Sequence, residues 1–277
     1  MAPVPAGRFA ADPELLAALA ERVRELAASY SPPDFADAPS PDAALFLCAI
    51  DHRTGYRRAH LVGGEGPFDG SELLWKLGCG AERRRGGLLS ASGLAEIDEG
   101  EVQDLFRIEG ETVSGAAERA RLWRDLAAGL QRRYAGSAEA LIASSRGRLG
   151  GSDGLIARLA EFGAYSDPLE KKSFLFAKVA SRRGWLAVTD PECWQVCADN
   201  VLMRLALRSG LVRPEPAEQV RAATREAFKR LADEACIEPP LLDDLLWELG
   251  RQDSDLLGDH GGADLREPPR PDGTIWY

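Results

Sequence analysis

Pairs of an acidic residue and a proline recur in front of amphipathic stretches of this chain. They include Asp12-Pro13, Asp167-Pro168, Asp190-Pro191 and Glu215-Pro216. An acidic side chain can cap the free N–H groups of a first helical turn, and proline is favoured at the first helical position. Each pair therefore predicts a helix start. Because apolar residues recur at helical spacing after these starts, the sequence predicts a mostly α fold.

One apolar run leaves its secondary structure open. Residues 43–50 carry no charged or amide side chain, so periodicity does not separate a strand from a buried helix. Residues 56–62 have the pattern of a short strand, which the turn Gly63-Gly64-Glu65-Gly66 closes. We therefore expect a small β element near residues 43–63. Residues 78–87 are rich in glycine and arginine and are predicted to form a loop.

The length and the net charge of the chain limit the class of protein to which it can belong. The 277 residues are enough for one large domain or two small ones, and the net charge is −10. An acidic chain repels a polyanion, so the balance favours a small ligand over long nucleic acid. There is no run of about 18 apolar residues, and the N-terminus lacks the layout of a signal peptide. We expect a cytoplasmic protein that does not bind membranes.

We expect neither a metal nor a cofactor. The three histidines and five cysteines show no ligand spacing typical of a zinc site. Cys193 and Cys197, four apart on a predicted helix, could form half a metal site, but buried thiols are the interpretation that we favour. The chain has neither a phosphate-binding glycine loop nor a dinucleotide-binding motif.

Asp199 stands at the front of the apolar run in residues 193–208, which are predicted to form a core helix. A carboxylate that enters a core must be hydrogen-bonded, paired or catalytic. One interpretation is a helix cap that accepts the backbone N–H of Leu202. The other is an acid directed into a pocket from the helix start.

A polar and aromatic cluster follows the apolar run 43–50. Asp51, His52 and Tyr56 either form part of a binding site or belong to a simple turn, with His52 in solvent. Ser71 is predicted to cap the next helix. On that helix, Trp75 either packs in the core or stacks on a base.

Residues 163–178 predict a helix, a tight hairpin and a further helix that starts at Asp167-Pro168. Lys171, Lys172 and Lys178 lie on the second helix. A lysine face in solvent is one interpretation. Lys178, however, has apolar neighbours, so its side chain either extends along the surface to water or meets an acid.

This order of elements, with an Asp at the head of a later helix, resembles the helix-hairpin-helix DNA glycosylase superfamily. In that superfamily a catalytic Asp follows the hairpin helix at a separation similar to that between Lys178 and Asp199.

A closer resemblance is to the queuosine salvage protein family, the queuosine 5′-phosphate N-glycosylase/hydrolases. The similar segments are Leu89-Ser90-Ala91-Ser92, Glu101–Arg107, Tyr134–Ser137, Phe176-Ala177-Lys178, Cys197-Ala198-Asp199 and Ile275-Trp276-Tyr277. The family's aromatic N-F-S-F-W step is replaced here by residues 48–52. This replacement predicts a more polar pocket. A more polar pocket favours another purine-like base.

The resemblance implies a single glycosylase-like domain over residues 1–277, with two helical lobes (about 1–150 and 151–277) and the site between them. It implies an N-glycoside hydrolase that releases a modified, 7-deazaguanine-like base from a nucleoside or nucleoside 5′-monophosphate. Asp199 and Lys178 would be catalytic. The substrate-binding residues would be Asp51, His52, Tyr56, Trp75, Lys172, Trp194 and Asn200.

Two alternatives remain. The first is a DNA glycosylase/lyase for damaged bases, in which the amine of Lys172 or Lys178 attacks the sugar. The second is a non-catalytic nucleobase-binding protein, in which Asp199 is only a cap.

Overall fold

The computed structural model of the chain describes residues 12–213, 217–261 and 274–276. Helices make up 55% of the described residues, and only two short strands occur among them. The prediction of a mostly α protein is confirmed. Within the described ranges, no helix is both long enough and apolar enough to cross a bilayer.

The described residues form eleven α-helices and one β-hairpin. In chain order the elements are α1 (Pro13–Ala28), α2 (Pro41–Ala49), β1 (His60–Val62), β2 (Glu65–Phe68), α3 (Gly70–Arg85), α4 (Glu99–Leu105), α5 (Ala116–Tyr134), α6 (Ala138–Ser144), α7 (Leu155–Leu159), α8 (Lys171–Arg182), α9 (Asn200–Arg208), α10 (Ala217–Ala235) and α11 (Pro239–Gln252). Short 3-10 helices lie at Gly163–Tyr165 and Pro191–Cys193.

Contacts group the chain into two compact units. The central unit comprises Asp34–Pro191 and Ile275–Tyr277, and the terminal unit comprises Met1–Pro33 and Glu192–Thr274. The central unit contains α2 to α8 and the hairpin, whereas the terminal unit contains α1 and α9 to α11. That the whole chain forms one glycosylase-like domain stays a prediction.

Helix α2 is the core of the central unit. Ser40 caps it by accepting the N–H of Ala43 at 3.1 Å, and Pro41 occupies its first turn. Every residue from position 43 to position 49 is buried, and α3, α5, α6 and α8 all pack against the helix. A helix that is apolar on all sides is stable only when it is surrounded, which resolves the ambiguous run in favour of helix.

The β element is smaller than expected and begins later in the chain. Strands β1 and β2 pair antiparallel, with His60 opposite Phe68 and Val62 opposite Glu65. Residues 43–49 contribute a helix instead of a strand. The two strands meet at a turn over Gly63 and Gly64, inside the predicted turn.

The terminal unit is built by four helices. Helix α1 packs on α10 and α11, and α9 packs on the same two helices. Asp12 caps α1 by accepting the N–H of Glu14, with Pro13 in the first turn, as predicted. The predicted start at Glu215-Pro216 lies outside the described residues.

Two glycine-rich segments, of which only residues 78–87 were predicted to form a loop, are held in place by defined contacts. Helix α3 continues to Arg85, so most of residues 78–87 is helical; Gly78 lies at a close helix contact, where a Cβ would be 2.4 Å from Cδ2 of Leu47. Residues 147–154, which resemble a flexible link in sequence, are held inside the central unit. There the Asp190 carboxylate accepts the N–H groups of Leu149 (2.7 Å) and Gly150 (2.9 Å).

Candidate functional site

A buried amine lies at the first turn of α8. The carboxylate of Asp167 accepts the N–H groups of Leu169 and Lys171, both at 2.9 Å, which fixes the turn before the helix. Helix α8 therefore starts at Lys171, three residues later than the Asp-Pro pair predicts. The next residue, Lys172, is 0% exposed, and its Nζ donates to the carbonyl of Ala49 at 2.7 Å.

The second partner of Lys172 is His52. The lysine Nζ lies 2.9 Å from Nδ1 of His52. When the amine donates in both of its bonds, Nδ1 is the acceptor and the histidine proton resides on Nε2. Nε2 lies 3.4 Å from Oε2 of Glu118, a partly exposed residue of α5. A carboxylate, an imidazole and a buried amine thus form one chain of contacts.

The environment lowers the pKa of both basic groups. Burial lowers the pKa of Lys172 well below its ordinary value, and the nearby charge of Lys171 acts in the same direction. Burial also lowers the pKa of His52 well below its ordinary value, with a further contribution from Lys172. Both groups therefore favour their neutral forms more than they would in water.

Asp51, next to His52 in the chain, adds a second carboxylate to the cluster of His52, Lys172 and Glu118. One carboxylate oxygen accepts the hydroxyl of Ser71 at 2.8 Å and the indole N–H of Trp75 at 3.4 Å. Nζ of Lys171 donates to the backbone carbonyl of Asp51 at 3.1 Å. The prediction of Ser71 as a helix cap is wrong, because Asp69 occupies the cap position and the serine hydroxyl binds Asp51 instead.

The burial of this cluster excludes two interpretations in which these side chains would lie in solvent. Asp51 and His52 are buried, so the turn with His52 in solvent is wrong. Lys171, Lys172 and Lys178 are also buried, so the solvated lysine face is wrong. Burying several charged groups close together costs free energy. Proteins retain such clusters where the groups have a function or where each group is hydrogen-bonded by its neighbours.

Arg119 is a member that the sequence reasoning missed. It is buried on α5, and its guanidinium donates to the backbone carbonyls of Ser114 and His52. Burial lowers its pKa to about 10. A signal was available: Arg119 lies four residues before Trp123, on the apolar face of α5.

The remaining predicted residues of the central unit have different roles. The hydroxyl of Tyr56 donates to the carbonyl of Phe106 at 2.8 Å, and burial raises the pKa of this phenol. Trp75 is partly buried beside Phe35, with ring centroids 6.3 Å apart. Lys178 is buried further along α8. The structure therefore brings Asp51, His52, Trp75 and Lys172 into one cluster.

Asp199, Asn200 and Trp194 belong to the terminal unit. Oδ1 of Asp199 accepts the N–H groups of Val201 (2.9 Å) and Leu202 (3.1 Å), so the helix-cap interpretation is confirmed. The predicted core helix over residues 193–208 is shorter, because α9 begins only at Asn200. Trp194 is buried in the segment that precedes α9.

Two buried charged residues, for which no sequence signal was recognised, hold the segment before Asp199. Arg221 of α10 donates from Nε to the carbonyl of Ala198 at 3.0 Å. Asp243 of α11 accepts the N–H of Cys197 at 2.7 Å. The backbone that leads into Asp199 is therefore held by contacts with α10 and α11.

Asn200 carries an unsatisfied acceptor. Its Oδ1 is buried and has no hydrogen-bond partner within the described part of the chain. A buried acceptor without a donor costs free energy, and such atoms often mark the place of a ligand or a bound water.

Nothing in the described ranges gathers three or more His, Cys, Asp or Glu side chains in a way that could hold a metal ion. Cys193 lies in a 3-10 helix and Cys197 in the segment after it, so these two residues are not on one helix. The sequence matches no protein-family model. It also matches no curated protein.

Proposed function

We propose that this protein hydrolyses the N-glycosidic bond of a modified nucleoside or nucleoside 5′-monophosphate and releases a purine-like, 7-deazaguanine-type base. The proposal includes a helix-hairpin-helix glycosylase-like fold, in which the segment from α7 to α8 corresponds to the hairpin. The carrying observation is the pairing of a fixed carboxylate with an unsatisfied acceptor at the start of α9.

The chemistry of this pair suits the reaction. Cleavage of the bond between the base nitrogen and C1′ builds positive charge on the sugar, which the Asp199 carboxylate would stabilise while water adds to C1′. One proton of that water passes to the departing base. Oδ1 of Asn200 would accept an N–H of the base and so gain the partner that it lacks among the described residues.

The buried cluster of the central unit supports the proposal in a second way. Asp51, His52 and Lys172 offer an acceptor, a titratable imidazole and an amine within one hydrogen-bonded group. Polar recognition of this kind is typical of sites for nucleobases and phosphates. We assign Lys178 a supporting role in catalysis, and Tyr56, Trp75 and Trp194 a role in binding. The net charge of −10 favours a mononucleotide over long nucleic acid.

Base release from a panel of nucleosides and nucleoside 5′-monophosphates, followed by chromatography, tests this function. The panel includes queuosine, guanosine and 7-deazaguanosine, each with and without a phosphate. We expect Asp199→Asn to lower turnover by about 100-fold or more while the helix cap is retained. Asn200→Ala should mainly weaken binding, and Gln131→Ala, at an exposed position of α5, is the control. Binding of a nucleotide without turnover by the wild type would instead establish a non-catalytic nucleobase-binding protein.

A second candidate is a DNA glycosylase/lyase, and the lowered pKa of Lys172 favours it specifically. A neutral amine can attack C1′, expel the base and form an imine with the opened sugar. Borohydride reduces that imine to a stable amine, so a trapped covalent adduct on a damaged duplex that disappears in Lys172→Met would establish this alternative. Trapping that persists in Lys172→Met but not in Lys178→Met would assign the nucleophile to Lys178.

A further inference from the structure

A cavity of about 290 Å³ lies in the central unit, apart from the residues considered above. It is lined by Ser144, Ser145, Arg146, Arg148, Asp153 and Arg158. Three guanidinium groups thus line the cavity against one carboxylate, in a chain whose net charge is strongly negative. A local concentration of positive charge on an acidic protein requires an explanation.

Two of the three arginines have no protein partner. In the part of the chain that the structure describes, the side chains of Arg146 and Arg148 make no hydrogen bond or ion pair, and both residues are exposed at the cavity. Arg121 and Arg132 of α5 also have no described side-chain partner, but only Arg146 and Arg148 of these four line the cavity. The guanidinium donors at the cavity are therefore available to a ligand.

The third arginine is held in place. Nε of Arg158 donates to the backbone carbonyl of Asp153 at 2.9 Å. The carboxylate of Asp153 is 81% exposed and lies 3.8 Å from the guanidinium, so it neutralises little of the charge. The hydroxyls of Ser144 and Ser145 donate to carbonyls of α6, which leaves the guanidiniums as the principal donors.

The loop that carries Arg146 and Arg148 is anchored. The amide groups of Leu149 and Gly150 bind the carboxylate of Asp190, and the N–H of Thr189 donates to the carbonyl of Gly147 at 2.9 Å. A Cβ at Gly147 would lie 2.4 Å from the carbonyl oxygen of Ala187, so this contact leaves no space for a side chain. Because the loop is anchored, binding costs little backbone freedom there.

We infer that this cavity is a binding site for the phosphate group of a small phosphorylated molecule. Guanidinium forks match the tetrahedral oxygens of a phosphate and bind them through paired, charge-assisted hydrogen bonds. The cavity volume suits a phosphate monoester with a small organic part. The net charge of the chain disfavours a polymer of phosphates. This inference is independent of the proposed hydrolase activity, because it concerns other residues and a binding step alone.

Isothermal titration of the full chain tests the site with inorganic phosphate, ribose 5-phosphate, ribose and a single-stranded oligonucleotide. We expect binding of phosphate and ribose 5-phosphate but not of ribose. The double variant Arg146→Gln/Arg148→Gln should weaken this binding by about tenfold or more, because two charged hydrogen-bond donors are lost. The control is Arg121→Gln/Arg132→Gln, which makes the same charge change at two exposed positions of α5.

The inference is overturned if the wild type binds neither phosphate nor ribose 5-phosphate, or if the two double variants weaken binding equally. It is also overturned if the Arg146→Gln/Arg148→Gln variant binds the oligonucleotide more weakly but binds phosphate and ribose 5-phosphate as the wild type does. Thermal melting of the double variant checks its folding, and we expect a midpoint equal to that of the control, because neither arginine side chain has a described partner to lose.

Discussion

Nζ of Lys172 lies 2.9 Å from Nδ1 of His52, and both side chains are buried. When the amine donates in this contact, the imidazole is neutral, because a protonated one has no acceptor on either nitrogen. The amine and the imidazole therefore constrain each other's protonation, and the stability of the central unit should depend on pH through both groups.

The first prediction concerns the amine. Since the folded pKa of Lys172 is lowered, the unfolded chain binds more protons between that pKa and the ordinary lysine value of about 10.4. The free energy of unfolding should therefore gain a contribution from Lys172 as pH rises through this window. Lys172→Met should lose that contribution, which denaturant unfolding across a pH series measures.

Lys229→Met is the matched control for this series. Lys229 pairs with Asp233 on α10, and its substitution should leave the alkaline slope unchanged. If the free energy of unfolding rises equally with pH in the wild type and in Lys172→Met, the folded pKa of this lysine is not lowered.

The second prediction concerns the imidazole. Because the folded pKa of His52 is lowered, the unfolded state takes up a proton below about pH 6.5 while the folded state resists it. Stability should therefore fall as pH drops through that value. His52→Gln should flatten the fall, whereas His260→Gln, at an exposed position, should retain it.

The third prediction separates the two roles of Asp199. Asparagine caps helices as well as aspartate does, so Asp199→Asn should change the free energy of unfolding by less than about 0.5 kcal/mol. Asp199→Ala should cost about 1 kcal/mol, because the N–H groups of Val201 and Leu202 lose their acceptor. Denaturant unfolding measures both changes.

The cap of α4 supplies the control for activity. Asp98 accepts the N–H of Glu101 at 2.8 Å, so Asp98→Asn makes the same chemical change at another helix start. If base release falls equally in Asp98→Asn and Asp199→Asn, the loss would not be specific to the proposed catalytic carboxylate.

The fourth prediction uses two glycines of α3. At Gly78 a Cβ would lie 2.4 Å from Cδ2 of Leu47, which is fully buried and has no room to move. Gly78→Ala should therefore destabilise the protein by about 1–3 kcal/mol. At Gly80 the nearest group is the flexible end of Arg84, so Gly80→Ala should stabilise the helix by about 0.5–1 kcal/mol. Thermal or denaturant unfolding of both variants measures these changes. Opposite signs show that the effect at Gly78 comes from the close helix contact and not from alanine in general.

Local sequence patterns are sufficient for the helical class and for some helix starts. The Asp12-Pro13 start and the cap at Asp199 follow from local signals, because capping depends on residues within one turn. The same local signals misplaced the start of α8, where the carboxylate of Asp167 forms a turn before the helix begins.

Long-range packing accounts for the helix at residues 43–49 and for the burial of the lysines of α8. The partners of Lys172 lie 123 and 120 residues away in the chain, on Ala49 and His52. No spacing rule relates positions so far apart, since their contact depends on how α2 and α8 pack. Burial, and with it the pKa of each group, is a property of that packing rather than of any local stretch of sequence.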